Sequence, residues 1–357
     1  MQQLNVVQGT RALAAGFVVV SHGALWAAGF GPLMLPMRDL SLLGTVGVMM
    51  FFTISGFIML HVSHGTFGNS GAPAAFLRRR IARVVPLYWS VTLLAAALVV
   101  KSTRTLDLNY FMESLFFIPH VDAGRVTLPM LGVGWTLDYE MFFYALFAAA
   151  LFLRRGLAIL CFTLAALMAV GQMLHPIWDL RHSRNAIEFW TTPLLLPFLL
   201  GIGIAVLRKH APWLRIQRPL LLLCCGIAAI LALQDLLVPT GSNPAWWRVA
   251  LPVDSAIVAA FAILAPSTIP VPAFMVLTGD ASFSLYLVHP LLFGVADKLG
   301  GDSLGHFSPV LAIVFYLGLC IVAALGLYFM VERPLTRFCN RMLSGLGRKP
   351  EVQVSAA

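Results

Sequence analysis

Apolar residues along this chain fall into long runs, not into the alternation of a half-buried strand. Ten runs stand out, at about residues 10–30, 40–62, 84–101, 131–153, 156–174, 188–207, 218–237, 246–266, 272–297 and 308–331. Each approaches the ~20 residues that an α-helix needs to cross a bilayer. The pattern predicts an all-α, polytopic membrane protein with about ten transmembrane helices. Residues 110–119, YFMESLFFIP, are apolar but too short to span, which predicts an interfacial or re-entrant piece. Residues 1–338 read as a single transmembrane domain, followed by a polar cytoplasmic tail over 339–357. No internal repeat and no low-complexity tract is visible.

Composition sharpens this picture. The chain has 357 residues, of which 59% are hydrophobic and 11% charged, far too apolar for a soluble globule. The formal net charge of +9 fits basic cytoplasmic loops and does not call for nucleic acid. Of the 24 Lys and Arg residues, fifteen fall in one set of alternate loops and eight in the other, with Arg11 left at the start of the first run. The positive-inside rule then places both termini in the cytoplasm, which needs an even number of spans and agrees with ten. The five cysteines show no metal-ligand spacing and no disulfide framework, so no metal is expected. The first run lacks a basic segment before it and reads as an uncleaved helix.

Ionisable residues inside the runs carry the candidate chemistry. The first run, TRALAAGFVVVSHGALWAAGF, holds Arg11 and His22. Eleven residues turn a helix to within ~20° of the starting direction and advance it ~16 Å, so both residues share one face. Arg11 sits at the edge of the span, and His22 lies deeper, where an ionisable side chain points to a functional site. A histidine bonded to a neighbouring helix for structural reasons is the alternative. The fourth run begins VGWTLDYEMFFYALF and brings in Trp135, Asp138, Glu140 and Tyr144. Opposite orientation puts Glu140 ~15 Å into its span, near the depth expected for His22. A Glu140–His22 pair would set the imidazole tautomer and leave the other nitrogen as a base, or would simply tie two helices together.

Two more stretches bear on the site. GDASFSLYLVHPLLF carries Asp280 and His289, with Ser282, Ser284 and Tyr286 able to bond across helices, and Pro290 predicts a kink. His289 is otherwise an interfacial histidine. In FLRRRIARVVPLYW, residues 76–89, Arg79, Arg80 and Arg83 cluster at helical spacing. Guanidinium groups bind phosphates by paired hydrogen bonds, although such arginines also set topology or touch anionic lipid. Ser55-Gly56 in the second run reads as a close helix approach.

Taken in order, these blocks resemble acyltransferase family 3, a group of multi-pass membrane O-acyltransferases, in its exopolysaccharide-modifying branch. The resemblance rests on Arg11 and His22, GVMMFFTISGF, FLRRRIARVVPLYW, GWTLDYEMFFY, SFSLYLVHPLL and Glu332-Arg333-Pro334, from about residue 5 to 338. It implies ten core spans in the bacterial inner membrane, acyl-CoA (acetyl-CoA by default) as donor and a carbohydrate hydroxyl as acceptor. The implied catalytic set is His22, Glu140 and Arg11. Arg78, Arg80 and Arg83 are implied to hold CoA, and Trp135 and His289 fall on family blocks and are expected to meet substrate; Asp138 and Tyr144, which crowd the same stretch as Trp135, are expected to meet substrate with them. Two positions depart from the family pattern: Met49 replaces an acidic residue and Met141 the second of paired glutamates. The rival class is a secondary transporter or flippase for a sugar-containing solute, which predicts related halves with paired broken helices.

Overall fold

The structure is a computed structural model, and it describes residues 2–33, 37–174, 183–211, 213–214, 222, 225–230, 247–265 and 270–345. Helix α1 (Gln2–Ala27) is followed by α2 (Met37–Ser63) and α3 (Ala72–Thr103). A short α4 (Leu108–Leu115) and a two-stranded hairpin, Val121–Asp122 with Arg125–Val126, lead into α5 (Trp135–Leu151). Then come α6 (Gly156–Leu174), α7 (Ala186–Trp190), α8 (Leu196–His210) and α9 (Trp247–Ile263). The C-terminal part holds α10 (Ala273–Asp280), α11 (Ser282–Val288), α12 (Phe293–Ala296), α13 (Asp302–Phe307), α14 (Pro309–Leu327) and α15 (Arg333–Gly345). The protein is an all-α membrane protein.

Among the described residues, five helical segments are long and apolar enough to cross a membrane: Asp39–Ser63, Ala72–Thr103, Gly156–Leu174, Pro193–His210 and Pro309–Leu343. A sixth is the pair Ala273–Asp280 and Ser282–Gly300, bent by 59°. Helix α1 has 26 residues but carries Arg11 and His22, and α5 and α9 have 17 each. Most of the run expected at 218–237 lies outside the described residues.

Local chemistry explains several boundaries. Pro73 sits in the first turn of α3, where its missing N–H costs nothing. The basic segment expected before the third span is therefore the first part of one 32-residue helix. Arg104 ends α3 in the left-handed conformation and its N–H bonds Val100 O. The Asp107 side chain caps α4 by accepting from Tyr110 N. The expected break at Pro290 is present as a 3₁₀ turn, His289–Leu292. Helix α15 runs through residue 338 to Gly345, so the expected polar tail begins as helix, and 346–357 lie outside the described residues.

Helix α2 lies at the centre, packed against α1, α8 and α9, with α1 in turn against α10 and α14. A Cβ on Gly56 would meet Phe198 O at 2.1 Å, and one on Gly201 would meet Thr53 O at 2.0 Å. Only glycine at both positions lets α2 and α8 approach this closely. The contact continues in aromatic stacking, with Phe198 4.5 Å from Phe52 and 4.4 Å from Phe143. Met49 is fully buried in this core, and the half-buried Met141 packs on its edge.

Candidate functional site

Helix α1 carries the site at two levels. At the lower level Arg11, Arg80 and Arg83 line one cavity with Ser55, Glu140 and Tyr144. Arg11 is buried and bonds Gln8 Oε1 at 3.2 Å. Glu140 Oε1 accepts from Ser55 Oγ at 2.7 Å and from the Tyr144 hydroxyl. The Arg80 guanidinium lies 5.9 Å from the Tyr144 ring and 5.8 Å from the Phe76 ring. Three cations and one carboxylate in a buried cleft make a site for an anionic group.

A second carboxylate, outside the cavity lining, lies within electrostatic range of Arg11 and Arg83. Glu332 is buried and accepts from Ser284 Oγ at 2.6 Å. Its position falls in a π-helical turn, Tyr328–Glu332, between α14 and α15. Arg11 is within electrostatic range of both Glu332 and Glu140.

At the upper level His22 pairs with His289. His289 Nε2 lies 3.3 Å from His22 Nδ1, with ring centroids 4.9 Å apart. His22 Nδ1 also lies 3.0 Å from Val18 O, and His289 Nδ1 lies 3.2 Å from Leu285 O. Carbonyl oxygens only accept, so both neutral rings carry their proton on Nδ1. His22 Nδ1–H then serves Val18 O and His289 Nε2 together. This leaves His22 Nε2 with its lone pair, the arrangement a general base needs. His289 is fully buried, and Tyr316 donates to its backbone oxygen at 2.6 Å.

The two levels meet at Tyr286. Its ring lines the cavity and lies 5.9 Å from the His289 ring, and its hydroxyl bonds Val133 O at 3.0 Å and Thr136 Oγ1 at 2.9 Å.

The arrangement departs from the sequence expectation in four places. Glu140 does not bond His22: it shares the cavity with Arg11, which is ~16 Å down α1 from His22. His289 takes the place beside His22 instead. Arg78 is not in the cavity, and its Nη1 bonds Leu343 O at 3.1 Å, holding α15. Two residues turn a helix by ~200°, so Arg78 and Arg80 face apart. The same rule separates Asp138 from Glu140: Asp138 is buried, near Tyr88 and Tyr139, and its Oδ1 has no hydrogen-bond partner among the described residues. Trp135 packs against Tyr139 at 6.1 Å, outside the cavity lining. His22, Arg11, Arg80, Arg83, Glu140, Tyr144 and His289 do fall within the two levels. Sequence reasoning gave Ser55 only a packing role and did not single out Tyr316; hydroxyls at span depth were the available signal.

These features define a membrane protein with a guanidinium-lined cavity and a paired histidine on one helix. The chain belongs to the family described as acyltransferase domain, whose profile matches residues 5–329. It is similar to the exopolysaccharide production protein ExoZ of Rhizobium meliloti (strain 1021), with 31% identity over 331 residues, 87% of this chain and 96% of that protein. It is also similar to the acyltransferase MdmB of Streptomyces mycarofaciens, with 26% identity over 345 residues, 84% of this chain and 82% of that protein. No solved structure matches.

Proposed function

We propose that this chain is an O-acyltransferase that moves an acyl group, acetyl by default, from acyl-CoA to a carbohydrate hydroxyl. The observation that carries the reading is the alignment, on α1, of a guanidinium-lined cavity with a histidine whose Nε2 is left free. Arg11, Arg80 and Arg83 bind the donor phosphates, and the thin arm runs along α1 toward His22. The acceptor hydroxyl gives its proton to His22 Nε2 as its oxygen attacks the thioester carbon. The C–S bond breaks, and the departing thiolate takes the proton back from the imidazolium. General-base help of this kind is worth ~10²–10⁴ in rate. Passage of the acyl group through His22 itself would give ping-pong kinetics.

The loop charges support ten spans in the bacterial plasma (inner) membrane with both termini in the cytoplasm, where acyl-CoA is made. The similarity to ExoZ supports an exopolysaccharide, or its lipid-linked precursor, as acceptor. The 59° break between α10 and α11 is the one observation that favours a transporter. That reading calls for a second broken helix in a related half, and one such pair occurs among the described residues.

The test is turnover of acetyl-labelled acetyl-CoA by purified protein in lipid nanodiscs, with a panel of polysaccharide and glycoside acceptors. Release of CoA with label on the carbohydrate is expected. A folded protein that neither binds acetyl-CoA nor releases CoA would overturn the reading.

A further inference from the structure

The upper end of α1 opens into a second cleft, which the donor cavity does not reach. It is a shallow depression, largely open to the surface, of about 560 Å³, lined by Trp26, Gly29, Phe30, Asp297 and Lys298. Small-molecule clefts fall in the range ~300–1,000 Å³. Helix α1 ends at Ala27, so His22 is only ~8 Å from this end at ~1.5 Å per residue. Trp26 follows His22 by four residues and therefore lies one turn above it on the same face.

The cleft has a fixed aromatic floor. Trp26 Nε1–H donates to Asp297 Oδ1 at 2.9 Å, which holds the indole in place. Its ring lies 5.0 Å from Phe30, nearly perpendicular at 89°, and 5.6 Å from Tyr316, the residue that bonds the His289 backbone. Phe30 is held from behind by α13. A Cβ on Gly305 would meet the Phe30 ring at 2.1 Å, so only glycine lets the helix come this near, and the neighbouring His306 ring lies 5.6 Å from Phe30. The exposed rim carries one carboxylate, Asp297, and one ammonium, Lys298.

We infer that this cleft is the acceptor subsite and seats one pyranose ring. The inference rests on the acyltransferase reading above. A pyranose presents an apolar C–H face and a rim of hydroxyls. The aromatic floor matches the first, and the paired carboxylate and ammonium match the second. The rim charges cancel, so the cleft does not select an anion as the arginine cavity does. Charged groups at its edge are equally wrong for a lipid tail. Donor and acceptor thus approach His22 from opposite ends of α1, and the hydroxyl to be acylated is the one directed down from Trp26 toward His22 Nε2.

The test is saturation-transfer NMR on the full chain in lipid nanodiscs with methyl pyranosides of glucose, galactose, mannose and glucuronic acid, alongside acetyl-CoA binding. We expect transfer to the ring C–H protons of at least one glycoside. Phe30→Leu and Asp297→Asn should each lower it by roughly fivefold, with acetyl-CoA binding retained. Lys298→Ala, at an exposed side chain, gives the same readout should Phe30→Leu fail to fold. Transfer from none of the four glycosides to a folded wild type that binds acetyl-CoA would overturn the subsite and leave the donor reading standing. Transfer that all three substitutions leave unchanged would also overturn it. Glycoside binding that depends on these residues in a protein unable to bind acetyl-CoA would overturn the donor reading alone.

Discussion

His22 Nδ1 lies 3.3 Å from His289 Nε2, and the same nitrogen faces Val18 O at 3.0 Å. These two contacts orient the ring and place its proton on Nδ1. In the proposed mechanism Nε2 is the base, and His289, acting through His22, is a positioning residue. Replacing it with Leu removes an acceptor and lets the His22 ring turn. Misplacement on this scale costs ~10²-fold in rate. We expect that loss in kcat with KM for acetyl-CoA unchanged, and partial recovery in His289→Gln, whose amide oxygen still accepts from Nδ1–H. Steady-state CoA release checks both.

Arg80 and Arg78 make a sharper comparison, because they are two residues apart and face different partners. Arg80 lines the cavity, whereas Arg78 bonds Leu343 O. A lost hydrogen bond to a charged group is worth ~1.5–3 kcal/mol, so Arg80→Ala should weaken CoA binding by about 10–100-fold. Arg78→Ala should leave CoA binding unchanged and expose α15 to proteolysis. Isothermal titration with CoA and limited proteolysis separate the two.

Glu140 accepts from both Ser55 Oγ and the Tyr144 hydroxyl. Glu140→Gln keeps an acceptor oxygen, and its melting temperature should stay close to wild type. Glu140→Ala strands two hydroxyls in the cavity wall, at about 1–3 kcal/mol each. Tryptophan fluorescence during heating in detergent should show the drop in Glu140→Ala alone.

The approach of α2 to α8 is tested at Gly56. A Cβ there meets the Phe198 carbonyl oxygen at 2.1 Å, and backbone cannot swing aside as a side chain can. Gly56→Ala should cost about 1–3 kcal/mol. Gly201→Ala should behave alike, and the double variant should lose less than the sum, since either one already forces the helices apart. Thermal unfolding of the two single variants and the double variant measures this.

The features legible in the sequence were those with a local signature. Run length and apolar composition gave the class, and Arg11 and His22 do lie on one helix, α1. Pro290 marked the 3₁₀ turn at His289. What was not legible depended on how helices sit against one another. Depth counted from an expected helix start at the outer surface put Glu140 beside His22, but α5 starts at depth, where Val133 O and Thr136 Oγ1 bond the Tyr286 hydroxyl in the wall of the arginine cavity, and Glu140 lies with Arg11. His289 and His22 are 267 positions apart, and no periodicity links them. The break between α10 and α11 at Ala281 carries no proline and no glycine at the bend itself, so nothing local announced it.

The most direct measurement is acetyl-CoA-dependent CoA release by wild type beside His22→Ala, both purified in nanodiscs with a carbohydrate acceptor. If His22 is the base, release by His22→Ala should fall by ~10²–10⁴ while acetyl-CoA still binds. Release by a folded His22→Ala at the wild-type rate would contradict the mechanism.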